Sequence, residues 1–106
     1  MELINKHKFE LEKACLKFNI NELYVFGSIL TEKFNDKSDI DFIVSISSSD
    51  PIEYAENYFE FKFELERIFQ KKIDLLEQKA IKNKTFEKIV NQQKVLLYAR
   101  RNKGLA

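Results

Sequence analysis

Cysteine occurs once in this chain, at Cys15, and histidine once, at His7. No internal disulfide can form, and no Cys/His zinc pattern is available. A surplus of one charge is missing as well: 18 Lys and Arg stand against 17 Asp and Glu, a formal charge of +1. Bulk nucleic-acid binding relies on a much larger basic excess, so none is expected here, although a local basic patch stays open. No apolar run approaches the roughly 20 residues that span a bilayer, and the amino-terminus has no apolar signal core. No membrane association is expected, and a reducing cytoplasm is the expected setting. Glycine is scarce: of the two present, Gly104 lies in the carboxyl-terminal tail, which leaves Gly27 alone within the patterned part of the chain.

What is present is enough for one compact unit. With 106 residues, 44% hydrophobic and 33% charged, the chain reads as a single globular domain over residues 1–106. Leu3, Ile4, His7, Leu11, Ala14, Cys15 and Phe18 form a helical stripe, in which packing accounts for His7 and Cys15. Leu23–Phe26 reads as a short strand buried on both faces and stopped by Gly27. Ser28–Lys33 begins a short helix, followed by a polar loop at 35–38. Ile40–Ile46, β-branched and aromatic, is the strongest strand. Asp50, Pro51 and Glu53 supply a cap, a first-turn proline and an acid three residues after the cap. The helix they start runs to about Gln70, with Tyr54, Tyr58, Phe61, Leu65 and Ile68 on one stripe and Phe59 and Phe63 outside it. Ile73–Leu76 is a third strand, Lys84–Gln92 a helix, Val95–Tyr98 an apolar segment of open type, and 100–106 a frayed tail. The order predicts an α/β (α+β) fold with a small twisted mixed sheet flanked by helices.

Two aspartates interrupt the best strand. Alternation sets Asp39 and Asp41 on one face, about 7 Å apart, with Ile40, Phe42 and Val44 on the other. Asp74 repeats the pattern between Ile73 and Leu75. Close, partly buried carboxylates cost several kcal/mol per ion unless they protonate, pair with a cation or hold a metal. An oxygen-only ligand set suits Mg²⁺ or Mn²⁺ rather than zinc. Each acid alone also has a plainer reading: Asp39 as a turn cap, Asp74 as the exposed side of an edge strand, and Lys37, Lys71 or Lys72 as charge partners. Gly27–Ser28 reads alone as an ordinary turn, or as a turn whose free N–H groups and hydroxyl receive phosphate.

The spacing Gly27–Ser28, ten residues, then Asp39–Ile40–Asp41, with Asp74 on a later strand, closely resembles the signature of the DNA polymerase beta-like nucleotidyltransferase superfamily. The match runs from about Leu23 to Leu76. The small size resembles the minimal nucleotidyltransferases (MNT) that serve as antitoxins in HEPN/MNT toxin–antitoxin pairs. That resemblance implies transfer of AMP from ATP, as co-substrate, to a tyrosine of a HEPN-type toxin. It assigns Asp39 and Asp41 to two Mg²⁺ ions (Mn²⁺ as a substitute), and Asp74 to the catalytic metal and the acceptor hydroxyl. Gly27 and Ser28 would take the outgoing phosphates. Many members carry Arg and Gly shortly after Gly–Ser, where this chain has Thr31 and Glu32. Lys37 or Lys33 is the candidate substitute for triphosphate contact, a solvated surface lysine being the alternative.

About 30 residues follow Asp74, too few for a further domain, so the acceptor is expected to come on a separate macromolecule. Phe59 and Phe63 are candidate contacts to it, with added core packing as the other reading. Two competing functions stay open: an antitoxin that neutralises by binding alone, and a transferase that modifies a small molecule or RNA with another subunit.

Overall fold

The computed structural model describes residues 1–100. Helices α1 (Glu2–Lys6) and α2 (Lys8–Lys17) lead into strand β1 (Ile20–Phe26), a 3-10 turn over Gly27–Leu30, and strand β2 (Ile40–Ile46). Helix α3 (Pro51–Phe69), strand β3 (Ile73–Glu77), a 3-10 turn, helix α4 (Lys84–Gln93) and strand β4 (Val95–Ala99) follow. The four strands lie in the order β3-β2-β1-β4, with β2 parallel to β3 and the other neighbours antiparallel. This is the mixed, helix-flanked sheet the element order predicts. Among the described residues no helix is long and apolar enough to cross a membrane.

Several boundaries differ from the sequence pattern. The first helix is two, because His7 leaves the helical range (φ −110, ψ 19) with its ring edge-on to Phe69 at 5.5 Å. Strand β1 begins three residues early, since Asn19 turns the chain at φ 57 and Ile20 already pairs with Ile46. It is not buried on both faces: Leu23 and Val25 are fully covered, whereas Tyr24 and Phe26 are half-buried. The segment of open type is β4, which takes the free edge of β1. Arg100 is not frayed, as its N–H donates to the Asn21 carbonyl at 2.8 Å. The rest of the expected tail, residues 101–106, lies outside the described residues.

The proline start of α3 forms as the sequence predicts, with the Asp50 carboxylate accepting from the Ile52 N–H at 3.0 Å. Phe61, Leu65, Ile68 and Phe69 of α3 are buried with Leu11, Ala14 and Cys15 of α2 against Ile40, Phe42 and Val44. Burial pushes the Cys15 thiol up to about 12, so it packs as an inert small hydrophobe. Phe59 and Phe63 do not add to this core; they are 54% and 62% exposed. The opposite face of the sheet carries Phe26 and Asp41, which are register partners. Phe86 of α4 meets Phe26 there, ring to ring at 6.3 Å. One face is therefore closed by α2 and α3, and the other is left to α4 and the acidic residues.

Candidate active site

Strand pairing brings the distant carboxylates together. In the parallel β2–β3 ladder Asp41 is the register partner of Asp74, although 33 positions separate them in sequence. Their carboxyls are close enough to act on one another. Burial raises the Asp41 carboxyl first, and the neighbouring Asp74 and Asp39 raise it further, to about 6. Asp39 is not a strand residue as the alternation implied: β2 starts at Ile40, and Asp39 ends the preceding loop, half-buried beside the pair. Asp74 is exposed on edge strand β3. Among the described residues no three His, Cys, Asp or Glu side chains are gathered into a ready ligand set. What is formed is a carboxylate pair with a third acid acting on it.

Gly27 explains how this pair is accommodated. Its φ is +84, a conformation that penalises any side chain. A Cβ at this position would stand 2.3 Å from Asp41 Oδ2. The close approach that requires glycine is thus to the Asp41 carboxylate itself, which ties the turn and the acid into one unit. The turn is a four-residue 3-10 segment rather than the start of a longer helix. A helix dipole therefore adds little, and local N–H groups and the Ser28 hydroxyl are what it can offer an anion.

Thr31 closes this turn. Its N–H and its hydroxyl both donate to the Ser28 carbonyl at 2.8 Å, and the hydroxyl accepts from the Lys33 N–H at 3.1 Å. Lys37 stands exposed on the loop, held through its backbone N–H by Asn35 Oδ1 at 2.8 Å. The leading charges acting on Asp41 are those of Asp74 and Asp39.

The basic residue with a defined role is Lys71, which sequence neighbourhood suggested only as a charge partner. Its ammonium donates to the carbonyls of Asn35 (3.1 Å), Asp36 (2.8 Å) and Ser38 (3.1 Å) and lies 4.9 Å from the Phe34 ring. It ties the loop that delivers Asp39 to the turn that precedes β3. Two tyrosines of α3 hold β3 from the other side: Tyr58 donates to the Leu75 carbonyl at 2.6 Å, and Tyr54 donates to the Glu77 carboxylate. Burial first, and then the Glu77 carboxylate, push the titration of the Tyr54 hydroxyl upward. None of these three clamps has a sequence signature, because each depends on a carbonyl or carboxylate brought near by folding.

Comparison with known proteins adds to the geometry. A profile of the family described as polymerase beta, nucleotidyltransferase matches residues 10–103. Over 91 residues the chain is 30% identical to a candidate protein adenylyltransferase of Methanocaldococcus jannaschii, covering 86% of this chain and 87% of that protein. A solved candidate minimal nucleotidyltransferase superposes with a TM-score of 0.72 at 16% identity, over 89% of this chain and 92% of that one. A tri-AMPylated HEPN toxin of Shewanella oneidensis in complex with an MNT antitoxin matches with a TM-score of 0.60 at 18% identity, over 91% of this chain and 73% of that one. A toxin–antitoxin structure with AMP-PNP matches at 0.65 and 20% identity, over 89% of this chain and 74% of that one. At such identities the structural likeness is one of fold.

Proposed function

The chain belongs to the polymerase beta nucleotidyltransferase family and is a nucleotidyltransferase; from that premise we propose that it moves AMP from ATP to a tyrosine hydroxyl of a HEPN-type partner protein and so serves as its antitoxin. The observation that carries this reading is the Asp41–Asp74 pair set in register against the Gly27 turn. The 30% identical relative described as a protein adenylyltransferase supports a protein acceptor, and the fold shared with MNT–HEPN complexes supports the partner class.

An all-oxygen pair with a third acid nearby fits Mg²⁺, which commonly takes one or two carboxylates and completes its shell with substrate phosphates and water. Asp39, Asp41 and Asp74 are the residues that would hold two such ions, or Mn²⁺. Bound there, the metal would neutralise the cluster and stabilise charge on the attacking and leaving oxygens. Asp41, backed by the Gly27 turn, fixes the position of the site. Gly27 and Ser28 offer N–H groups and a hydroxyl to the departing phosphates. Asp74, exposed at the sheet edge, takes the proton of the acceptor hydroxyl. The acceptor oxygen forms a bond to the α-phosphorus, the bond to the bridging oxygen breaks, and pyrophosphate leaves.

The test is transfer of label from [α-³²P]ATP to the partner in Mg²⁺. Asp41→Asn should lower the rate by at least about a hundredfold, the scale of removing a principal electrostatic group from a site, while partner binding persists. Wild-type rates in that variant would overturn the site assignment. Full neutralisation of the partner by a variant unable to transfer label would favour an antitoxin acting by contact alone.

A further inference from the structure

The strand registers line up three residues across the sheet. Asp74 of β3 pairs with Asp41 of β2, and Asp41 pairs with Phe26 of β1. Register partners point to the same face, so acid, acid and aromatic ring form one row, each about 5 Å from the next. Phe26 also directly precedes the Gly27 turn and is only half-buried.

Helix α4 lies over the β1 end of this row. Phe86 meets the Phe26 ring edge to face at 6.3 Å, and eight positions on the Lys94 ammonium stands 4.0 Å from the Tyr24 ring. The helix therefore runs along β1 with Phe86 at the end nearer Asp41. The Asn83 side chain caps it there, accepting from the Phe86 N–H at 2.9 Å. Val90, one turn after Phe86, is 2% exposed, yet Phe86 keeps 40% of its surface open. Packing of α4 on the sheet thus closes over Val90 and leaves aromatic surface uncovered beside the carboxylates.

The proposed transfer leaves that surface to one part of the substrate. The acceptor arrives at Asp74 on the exposed edge strand, and pyrophosphate departs at Gly27 and Ser28. The nucleoside on the α-phosphate has still to be placed, and the row continues from Asp41 to the two rings. An acceptor side chain coming from the β3 edge would have to cross the acid pair to reach them. We propose that Phe86, backed by Phe26, is the platform on which the nucleobase of the bound triphosphate stacks; this rests on the nucleotidyl-transfer reading above. Stacking uses the π-face that every base has, so the contact holds the base without selecting adenine.

Calorimetric titration of the full chain in Mg²⁺ tests this with two probes, AMP-PNP and tripolyphosphate, which has no base; circular dichroism is the folding control. Phe86→Ala should weaken AMP-PNP roughly tenfold, the scale of one base–aromatic stack, and leave tripolyphosphate unchanged. Phe86→Trp should keep AMP-PNP affinity, with indole fluorescence quenched by AMP-PNP and not by tripolyphosphate. Equal weakening of both probes in Phe86→Ala would show that the ring only seats α4, and would overturn the proposal. So would unchanged AMP-PNP affinity, with or without a raised KM for the partner protein. Either result leaves the transfer reading standing if Asp41→Asn still abolishes labelling of the partner. A wild type that binds neither probe overturns both.

Discussion

Gly27 and Asp41 act as one feature, and each sets the consequence of changing the other. In Gly27→Ala the new methyl meets the far end of the Asp41 side chain, which can rotate away, so the steric conflict moves the acid more than it unfolds the protein. The positive φ adds about 1–2 kcal/mol of backbone strain. A modest drop in melting temperature is therefore expected together with a large loss of nucleotidyl transfer, on the order of a hundredfold for a reactive group displaced by about 1 Å. Transfer at the wild-type rate with a lowered melting point would contradict the coupling. Titration of Asp41 supplies a second expectation. Its carboxyl is raised to about 6, above its ordinary value, so the folded state holds a proton the unfolded chain has released. That stabilisation is complete at low pH and is lost as pH rises through about 6, leaving repulsion within the acidic cluster. Without divalent ions, Asp41→Asn should raise the melting temperature at pH 8 by a few degrees and change it much less at pH 4. About 1 kcal/mol moves the midpoint of a domain this size by roughly 4–8 °C. Melting scans in EDTA at the two pH values decide it. Mg²⁺ should compete with the same proton, so its apparent affinity is expected to fall below pH 6.

At the scale of elements, the site depends on how β3 and the 31–39 loop are tied to their neighbours. Strand β3 is short and at an edge, where isolated pairing is weakest, and Tyr54 and Tyr58 of α3 fasten it. Lys71 fastens the loop through three carbonyls. In Lys71→Met those carbonyls turn to water, which limits the stability cost to about 1 kcal/mol. The loss should appear in Asp39 instead. Hydrogen exchange of the 31–39 amides should speed up, and the Mg²⁺ concentration for half-maximal transfer should rise several-fold. Unchanged exchange in that loop would show that Lys71 does not hold it.

The molecule as a whole separates its tasks by sheet face. Alternation along β2 sends Ile40, Phe42 and Val44 into the α2–α3 core and leaves Asp41 on the side of Phe26 and α4. Antiparallel β1 and β4 complete the sheet without covering the end of β2 where Asp41 lies. The acidic residues thus lie on the face opposite the α2–α3 core. Substitutions at the exposed Phe63 should for this reason leave Mg²⁺–nucleotide binding intact, which calorimetric titration with AMP-PNP can check.

Sequence alone carried the element types, the strongest strand, the proline-started helix and the identity of the three acids, because periodicity and residue spacing are local properties. The α3 core stripe from Phe61 to Ile68 and the mixed character of the sheet were likewise readable from it. The break at His7, the early start of β1, the strand identity of 95–99 and the exposure of Phe59 and Phe63 were decided by packing and pairing, which no local window records. The same holds for the chemistry. Local spacing showed that Asp39, Asp41 and Asp74 are out of place in their surroundings. Only the parallel β2–β3 register set Asp41 beside Asp74, and only the tight turn at Gly27 left room for its carboxylate. Long-range strand pairing turned three isolated aspartates into one interacting cluster.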